Sequence, residues 1–546
     1  MKTKLIAMLL SAALLTSCAA PSDTPEESDG TASSVSTTSG EAASTTFDEG
    51  GSGIIVDGVE ITDALQAEVR ARNFPSYEEV QMEYPDKTVL VFPFEGTMYD
   101  SIKNIRTREA NEYLAEQGYD FVVCLEPEST MMADDRYAYV DYIKEKEAAG
   151  KQVDIVFGYS RFLTARRVEG IYPFNMSVYE GIAEPLDGYL ETDTGKALYD
   201  LMPESFWDSH RINGSIYGIS GDLTELSYDF GYYVNAQLAE KYGFDTHKPI
   251  TEQLDLLQKV KNEEQSTDAA VIIDTALMPD IDDFGSVMSV TDGVYLENGE
   301  FHSAMESEAY VENIRLLNTL ATSGLLKYTN VEESHRENAF IIFDNICAGG
   351  SIYDGVETVS IDYYGTETEV VPVFKNGPVL TTCGSAISIC SFSQHKEEAF
   401  EFLVALFTDP YLNNLLAYGL EGEDYTLENG HVVPDLEHGN PHSDRFQNKL
   451  ICYPGQRDPD NAAEAYRAAF EAAESADLSF SFDGRAVEDE IIAVTDVMQT
   501  VSVRLLLAED FDAAVEEMQK ALEEAGIDVI MRECEAQYEA WKSSRQ

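Results

Sequence analysis

Three short, almost wholly apolar segments alternate with two amphipathic segments in the first third of the chain. This alternation constrains the fold more than any other feature. The strand-like segments are 88–92, 120–125 and 153–157, and the helix-like segments are 100–117 and 140–149, which end at Gly118 and Gly150. Buried strands that alternate with helices predict a parallel sheet with right-handed crossovers. The fold class is therefore α/β, and a ligand is expected beyond the carboxyl ends of the strands.

Composition excludes several classes of function. Lys and Arg total 36 and Asp and Glu total 100 in 546 residues, so the formal net charge of −64 repels nucleic acids and acidic membrane surfaces. The loop Pro93-Phe94-Glu95-Gly96 after the first strand lacks the glycine pattern of a dinucleotide site. The 7 Cys residues form no CxxC pair, which disfavours a thiolate metal site. No cofactor is expected.

No motif for catalysis or metal binding stands out. His438 and His442 are separated by Gly-Asn-Pro, which cannot be helical, and the stretch 280–285 lacks the ligand spacing of a calcium loop. Ser393 and Lys396 have the SxxK spacing, but Ser393 stands where a helix begins and is expected to cap it. The sequence therefore predicts neither an enzyme nor a metal site.

The first residues have the features of a targeting segment. Lys2 and Lys4 precede an apolar run at 5–15 that is too short to span a bilayer, as in a secretory signal peptide over 1–17. The sequence Leu15-Thr16-Ser17-Cys18 resembles the lipobox of bacterial lipoproteins, in which the Cys becomes the lipidated first residue. The alternative is ordinary cleavage near Ala19. Residues 18–53 are rich in Ser, Thr, Asp and Glu, which predicts a disordered tether.

An ordered series of segments carries a further resemblance. It consists of 154–158, 181–187, Phe206-Trp207, 213–219, 232–235, 238–243, 291–295, 383–387 and 418–425. In order and spacing, the series is similar to the extracellular solute-binding lipoproteins of ABC importers, in the sugar-binding branch with an extended C-terminal domain. Within it, Asn213-Gly214 predicts a hairpin turn, Asn235 a helix cap and Gly243 a helix stop.

The resemblance implies a two-lobe, type II periplasmic-binding-protein-like fold. Each lobe would be a mostly parallel sheet flanked by helices. Lobe one is expected at 85–225 and 358–406, lobe two at 228–356 and 407–460, and a helical C-terminal extension at 461–546. The chain would cross between lobes near 222–233, 356–364 and 405–411, and the ligand would bind in the cleft.

Aromatic rings and carboxylates at strand ends or crossings are the candidate ligand-binding residues, because rings stack on sugars and carboxylates accept hydroxyl hydrogen bonds. They are Glu95, Tyr99, Tyr159, Trp207, Asp222, Tyr232, Asp283 and Glu421. Each has an alternative as core or solvated surface. For Trp207 the alternative is that it fills the core beneath the hairpin, together with Phe206.

The leading hypothesis is a lipid-anchored monomer on the extracellular face of the cell membrane. It would capture a small polar solute, by resemblance an oligosaccharide, and deliver it to ABC permease subunits. The alternative is a secreted carbohydrate-active enzyme. An adhesion protein is disfavoured because the chain has no internal repeats.

Overall fold

Strands from several sheets, with their flanking helices, form two lobes in the described part of the chain. The computed structural model describes residues 46–47, 54–56, 59–61, 74–95, 105–128, 138–158, 173–221, 226–228, 231–264, 271–274, 288–297, 299–329, 340–343, 359–363, 366–374, 378–380, 383, 386–434, 446–455, 458, 460–473 and 480–544. The predicted signal peptide and Cys18 lie outside these residues.

The strands, in chain order, are β1 (Thr46–Phe47), β2 (Ile54–Val56), β3 (Val59–Ile61), β4 (Thr88–Glu95), β5 (Phe121–Glu128), β6 (Ile155–Gly158), β7 (Arg211–Ile212), β8 (Ser215–Ile216), β9 (Leu226–Tyr228), β10 (Gly231–Asn235), β11 (Val271–Asp274), β12 (Met288–Thr291), β13 (Val294–Glu297), β14 (Glu300–Ser303), β15 (Leu326–Thr329), β16 (Ile341–Phe343), β17 (Val359–Tyr363), β18 (Thr366–Phe374), β19 (Pro378–Leu380), β20 (Ala386–Ile389), β21 (Tyr425–Glu428) and β22 (His431–Pro434).

The α-helices, in chain order, are α1 (Tyr77–Glu83), α2 (Thr107–Gln117), α3 (Ala138–Ala148), α4 (Pro173–Tyr179), α5 (Asp187–Leu190), α6 (Asp193–Tyr199), α7 (Glu204–Ser209), α8 (Ala236–Tyr242), α9 (Leu254–Glu263), α10 (Glu308–Thr322), α11 (Lys396–Thr408), α12 (Pro410–Tyr418), α13 (Ala462–Ala472), α14 (Glu488–Met498), α15 (Val501–Leu505), α16 (Phe511–Ala525) and α17 (Ile527–Ser544). Two 3-10 turns cover Ile250–Gln253 and Gly484–Val487.

Lobe one is organised around β4, β5, β6 and β20. β4 and β5 pair in parallel, and β6 pairs antiparallel with β20. A buried cluster joins this sheet to its helices, with Phe92 from β4, Leu114 from α2, Phe402 from α11 and Tyr466 from α13. Burying side chains of this size contributes roughly 1.5–3 kcal/mol each, so the cluster is the main stabilising element of the lobe.

Lobe two contains a six-stranded sheet in the order β15-β11-β16-β10-β18-β17. The β11 pairings with β15 and β16 are parallel, whereas the β10–β16, β10–β18 and β17–β18 pairings are antiparallel. The sheet is therefore mixed rather than mostly parallel. A separate antiparallel sheet, β12-β13-β14, belongs to the same lobe, and its Leu296 shares a buried cluster with Ile314 of α10.

The predicted boundaries of the lobes require correction. β17 and β18 pair in the lobe-two sheet, so 359–374 belong to lobe two and not to lobe one as predicted. Leu412 of α12 and Phe446 pack in the lobe-one cluster, although 407–460 were predicted in lobe two. Helix α13, predicted as part of the C-terminal extension, also packs on lobe one, where the Ser205 hydroxyl donates to the Phe470 carbonyl oxygen at 2.8 Å. Non-local strand pairing and packing decided these assignments.

Helices α14–α17, called the C-terminal helices here, pack on lobe two. Ile491, Leu522 and Ile530 are buried in the same cluster as Leu296 and Ile314. The predicted helix stop at Gly526 is confirmed by its left-handed φ of 102°, and Asp510 caps α16 by accepting from the Ala513 amide at 3.2 Å.

The local predictions in the series of segments are confirmed. Asn213 and Gly214 have φ values of 53° and 95°, the left-handed pair that a tight hairpin between β7 and β8 requires. Asn235 caps α8 by accepting from the Leu238 amide at 3.0 Å, and Gly243 ends the helix in the left-handed region. Thr46–Phe47 pair with β2, although they fall within the stretch predicted to be a disordered tether.

Among the helices of the described residues, none combines the length and apolar character needed to cross a membrane.

Candidate functional site

A two-stranded ribbon, β9 and β19, connects the two lobes. The strands pair antiparallel, with Leu226 opposite Leu380. β9 leads into β10 and β18 leads into β19, and β10 and β18 are themselves paired, with Gly231 opposite Phe374. Two chain segments therefore cross side by side. The first lies in the predicted crossing at 222–233, whereas the second falls after Phe374 and not at 356–364 as predicted. A paired crossing of this kind can act as a hinge.

In lobe one, β6 runs in the same direction as β4. The Gln152 side chain donates to the Val89 carbonyl oxygen at 2.7 Å, and the Asp154 amide donates to the Val91 carbonyl oxygen at 2.9 Å. Gln152 and Asp154 thus lie beside Val89 and Val91 in the same order, so the two strands run in parallel. β4, β5 and β6 consequently have their carboxyl ends at one edge of the sheet.

This edge of lobe one lies at the ribbon. Gly158, the last residue of β6, is paired with Ala386, the first residue of β20. Ala386 follows the ribbon strand β19 by only a few residues. β4 ends at the same edge with Glu95, paired with Glu128 of β5.

Lobe two presents its strand ends to the ribbon as well. β16 is antiparallel to β10, with Tyr233 opposite Ile342, so its last residue, Phe343, lies beside the start of β10. β11 and β15 are aligned with β16 and end at Asp274 and Thr329 on that edge. The carboxyl ends in both lobes therefore flank the connecting ribbon, where α/β sheets bind ligands.

Several predicted ligand residues cannot be compared with this geometry because they lie outside the described residues. These are Tyr99, Tyr159, Asp222 and Asp283. Glu95 is described in its backbone, as the last residue of β4 at the interlobe edge. In the sequence, Tyr159 directly follows the end of β6. The prediction for these residues stays open.

Tyr232 lies at the ribbon end of β10, where the sequence analysis expected a ligand residue. Its side chain is 9 % exposed, and its ring centroid lies 5.5 Å from that of Phe343. Burial raises the pKa of Tyr232 to about 12. The phenol is therefore protonated at neutral pH, and its hydroxyl group can donate a hydrogen bond.

Trp207 is fully buried, which contradicts a face open to a sugar ring. Its ring stacks on Tyr199 with centroids 5.1 Å apart and an interplanar angle of 1°, and the Phe206 ring meets its edge. The indole N–H donates to the Tyr199 carbonyl oxygen at 3.1 Å. One ring face, an edge and the polar atom contact lobe-one residues and the side chain has no exposed surface, so the structure supports the packing alternative.

Glu421 is exposed in the loop between α12 and β21. A bidentate ion pair fixes this loop: Arg106 donates from Nε to Oδ2 of Asp424 at 2.8 Å and from Nη2 to Oδ1 at 2.6 Å. Arg106 directly precedes α2, the helix that follows β4, so the loop lies at the edge of lobe one that faces the ribbon. Glu421 is thereby brought near the predicted site.

Arg106 and Asp424 were not among the predicted site residues. Both are buried, with 8 % and 4 % exposure, and they are 318 residues apart in the sequence. Asp424 lies in the segment 418–425 that carried part of the resemblance. That resemblance was the only signal in the sequence that pointed to Asp424. Nothing local in the sequence links it to Arg106.

The arrangement of Ser393 and Lys396 does not support nucleophilic catalysis. The Ser393 hydroxyl donates to Oδ1 of Asp154 at 2.6 Å, while Lys396 pairs with Glu184 at 2.8 Å. The Ser393 oxygen also accepts from the His395 amide at 2.9 Å, but His395 is the N-cap of α11 and no side chain caps the helix, so the predicted cap at Ser393 is wrong. Among the described residues there is no cluster of His, Cys, Asp and Glu able to hold a metal ion. His438, His442 and the stretch 280–285 lie outside them.

A surface cavity of about 660 Å³ lies between α8 and β18 in lobe two. Its lining includes Gln237, Glu240, Thr246 and Val371. α8 begins at the end of β10 remote from the ribbon, so this cavity is not the interlobe site. The carboxyl ends of the strands indicate the ligand site better than this cavity does, because α/β sheets bind ligands at that edge.

Comparisons with known proteins show what this chain is similar to. Residues 477–543 match a family model described as a domain of unknown function (DUF3502). The chain is 23 % identical over 424 residues to a carbohydrate ABC transporter substrate-binding protein of Streptococcus pneumoniae serotype 4, covering 73 % of this chain and 81 % of that protein.

Solved structures of solute-binding proteins have the same fold. The N-glycan transport solute binding protein NgtS of Streptococcus pneumoniae superposes with a TM-score of 0.62 at 17 % identity, over 84 % of this chain and 100 % of that chain. Its complex with Man5GlcNAc gives 0.53 at 18 %, over 84 % and 100 %. A solute binding protein of Bifidobacterium longum infantis, described as binding HMO (human milk oligosaccharides), gives 0.53 at 15 %, over 83 % and 98 %.

These findings confirm the predicted resemblance and the two-lobe α/β fold of type II solute-binding proteins, with a helical C-terminal region. The similar proteins are described as substrate-binding or solute-binding proteins of transport systems.

Proposed function

We propose that this chain is the solute-binding component of an ABC importer and captures an oligosaccharide between its two lobes. The observation that carries the proposal is the convergence of strand ends from both lobes on the β9–β19 ribbon. A solute held there contacts both lobes, so its binding free energy can drive their closure. Capture of this kind requires no catalytic group.

An oligosaccharide is the ligand class that the similar proteins favour. NgtS has been solved with Man1GlcNAc and with Man5GlcNAc, and the Bifidobacterium protein is described as binding HMO. In this chain the contacts would come from Glu95, Tyr99, Tyr159, Asp222, Tyr232, Asp283 and Glu421. Their carboxylates and phenols match the hydrogen-bonding and stacking needs of sugars.

The partners and location follow from the same proposal. The captured sugar would be delivered to ABC permease subunits, and the protein would act as a monomer on the extracellular face. Its charge of −64 disfavours direct adhesion to an anionic membrane surface. A lipid on Cys18 would supply the attachment.

A sugar screen tests the proposed function. With Man1GlcNAc, Man5GlcNAc and a panel of milk oligosaccharides, amino acids and peptides, we expect at least one oligosaccharide to raise the melting temperature. Binding to the folded state alone adds about 2.7 kcal/mol at 100 times Kd. The sugar should be recovered unchanged after incubation. Conversion of the sugar into smaller products would instead support the carbohydrate-active enzyme.

Replacement of Cys18 by Ser tests the anchor. The short apolar run that ends at Leu15-Thr16-Ser17-Cys18 motivates the proposal. We expect Cys18→Ser to leave the precursor unprocessed or to release the protein into the medium, as measured by fractionation and by mass spectrometry of the first residue. A cleaved Cys18→Ser protein that stays in the membrane fraction would contradict anchoring through this residue.

A further inference from the structure

The chain makes a third crossing between the lobes at its C-terminal end. Helix α13 packs on lobe one, where Arg467 donates to the Leu201 carbonyl oxygen at 2.6 Å. The C-terminal helices that follow pack against Leu296 and Ile314 of lobe two, in a buried cluster that also includes Met176 of lobe one. The predicted third crossing at 405–411 is thus replaced by one after α13. The start of the C-terminal region, Phe480–Arg485, contacts lobe one again.

The contacts of this segment with lobe one are specific. Asn175 of α4 donates to Oγ of Ser481 at 2.8 Å, and the Tyr179 hydroxyl lies 2.6 Å from the same oxygen. Arg485 forms an ion pair with Glu180, which also pairs with Lys144 of α3. The Arg485 guanidinium lies 5.3 Å from the centre of the Tyr179 ring.

The C-terminal helices are attached to lobe two by buried contacts. Asn318 of α10 donates to the carbonyl oxygens of Leu505 at 2.8 Å and Ala508 at 3.0 Å. Thr495 donates to the carboxylate of Asp292, and the Phe301 ring packs edge-on against Tyr538. These helices therefore move with lobe two.

Asp483 links the two sets of contacts. Its backbone amide and carbonyl form a pair of hydrogen bonds with the Gln537 side chain of α17, both 2.9 Å long. Its carboxylate accepts from Nε of Arg485 at 2.8 Å and from Nη2 at 2.6 Å. The guanidinium is thereby held in a fixed orientation toward Glu180. A continuous network runs from lobe two, through α17, Asp483 and Arg485, to Glu180.

The cationic partners of Glu180 favour its ionised form. The hydrogen bond from Lys144 lowers the pKa of Glu180; partial burial opposes this, and the hydrogen bond from Arg485 adds to it. Glu180, Asp483 and Arg485 have side chains 27–33 % exposed, so solvent partly screens the ion pairs between them.

We propose that Arg485 is a positioning residue for solute capture, which restrains lobe rotation by tying the C-terminal helices to Glu180 of lobe one. Rotation about the β9–β19 ribbon moves α4 relative to helices that are fixed to lobe two, so the pair is strained or lost on closure. Its removal lowers the cost of closure and tightens sugar binding. The affinity part of this proposal rests on the proposed function, whereas the restraint on the lobes does not.

The test measures the distance between the lobes without ligand. Dyes are attached through unnatural amino acids at Glu116 of α2 and Glu312 of α10, both exposed. Single-molecule energy transfer in the full chain should show a broader or shifted distance distribution for Glu180→Gln and Arg485→Met. Arg485→Lys should restore part of the original distribution.

A matched control is available in the same helices. Arg315 and Asp512 form an ion pair of 2.8 Å between α10 and α16, within the body that moves with lobe two. Asp512→Asn should leave the distance distribution unchanged. An equal change in Asp512→Asn, or no change in either Glu180→Gln or Arg485→Met, would overturn the proposal.

Affinity provides the second measurement. With Man5GlcNAc as the probe, we expect Glu180→Gln and Arg485→Met to lower Kd by about three- to tenfold, with little change in melting temperature. Lower melting temperatures with unaltered ligand-free distances would assign the pair a purely structural role and overturn the proposal. If no sugar binds the unmodified protein, the proposed function fails, but the ligand-free distances still decide whether the pair restrains the lobes.

Discussion

Trp207→Ala is expected to destabilise lobe one by about 3–5 kcal/mol, the range for removal of a buried Trp or Phe side chain. The indole is fully buried between Tyr199 and Phe206. Its truncation removes a stacked ring pair and leaves a cavity. It also deprives the Tyr199 carbonyl oxygen of the indole N–H donor. Urea denaturation of the variant, followed by circular dichroism, measures the loss.

Trp207→Phe provides the matched comparison. It retains a ring against Tyr199 but loses the indole N–H and part of the volume, so a smaller loss of about 1–2 kcal/mol is expected. In a Trp541→Phe background, Trp207 is the only indole in the chain. Its emission should be that of a buried indole and should not respond to a bound sugar. A stable Trp207→Ala protein with more than tenfold weaker sugar binding would favour stacking on the ligand over packing.

The sequence predicted local structure well where a single residue type determines the backbone. Gly118, Gly243 and Gly526 end helices in the left-handed region, which glycine adopts without a steric penalty. The strand predictions in lobe one were also reliable, because a short apolar run between two amphipathic helices is typical of a buried parallel strand.

Sequence could not assign strands to lobes in the second half of the chain. β18 pairs with β10, which lies more than 130 residues earlier, and its apolar residues would suit either sheet. Likewise, the apolar face of α12 indicates burial but does not identify its partner. Register and partner depend on non-local contacts, which a periodic pattern does not encode.

The same distinction applies to the site. The rule that ligands bind at carboxyl strand ends led to Glu95, at the end of β4, and Tyr232, near the start of β10, and ligand binding by both stays a prediction. It did not distinguish a rim aromatic from a core aromatic. Trp207 lies in a short helix, and the helical pattern alone does not show whether an indole faces solvent or Tyr199. Only the packed structure supplies that information.

The buried ion pair between Arg106 and Asp424 leads to the second large expected effect. Arg106→Met is expected to cost about 3–5 kcal/mol, because it leaves the carboxylate of Asp424 buried without its cation. The carboxylate is 4 % exposed and would retain the hydrogen bond from the Leu420 amide, 2.8 Å long, as its main compensation. Gly419 packs so closely that an added Cβ would overlap the Asp424 side chain, so the loop has little room to relax.

A double variant separates the cost of leaving the Asp424 carboxylate without a cation from the cost of the lost packing. Arg106→Met with Asp424→Asn removes both charges and keeps an oxygen that can accept from Leu420, so we expect it to recover roughly half of the loss.

Two single-tryptophan backgrounds locate the effect. With Trp541→Phe, Trp207 reports on lobe one, and with Trp207→Phe, Trp541 reports on the C-terminal helices on lobe two. The lobe-one transition should shift in Arg106→Met and the Trp541 transition should shift much less. Equal stability of Arg106→Met and the unmodified protein, within about 0.5 kcal/mol, would show that Arg106 does not stabilise the 419–424 loop and that Glu421 is not fixed at the interlobe edge by this pair.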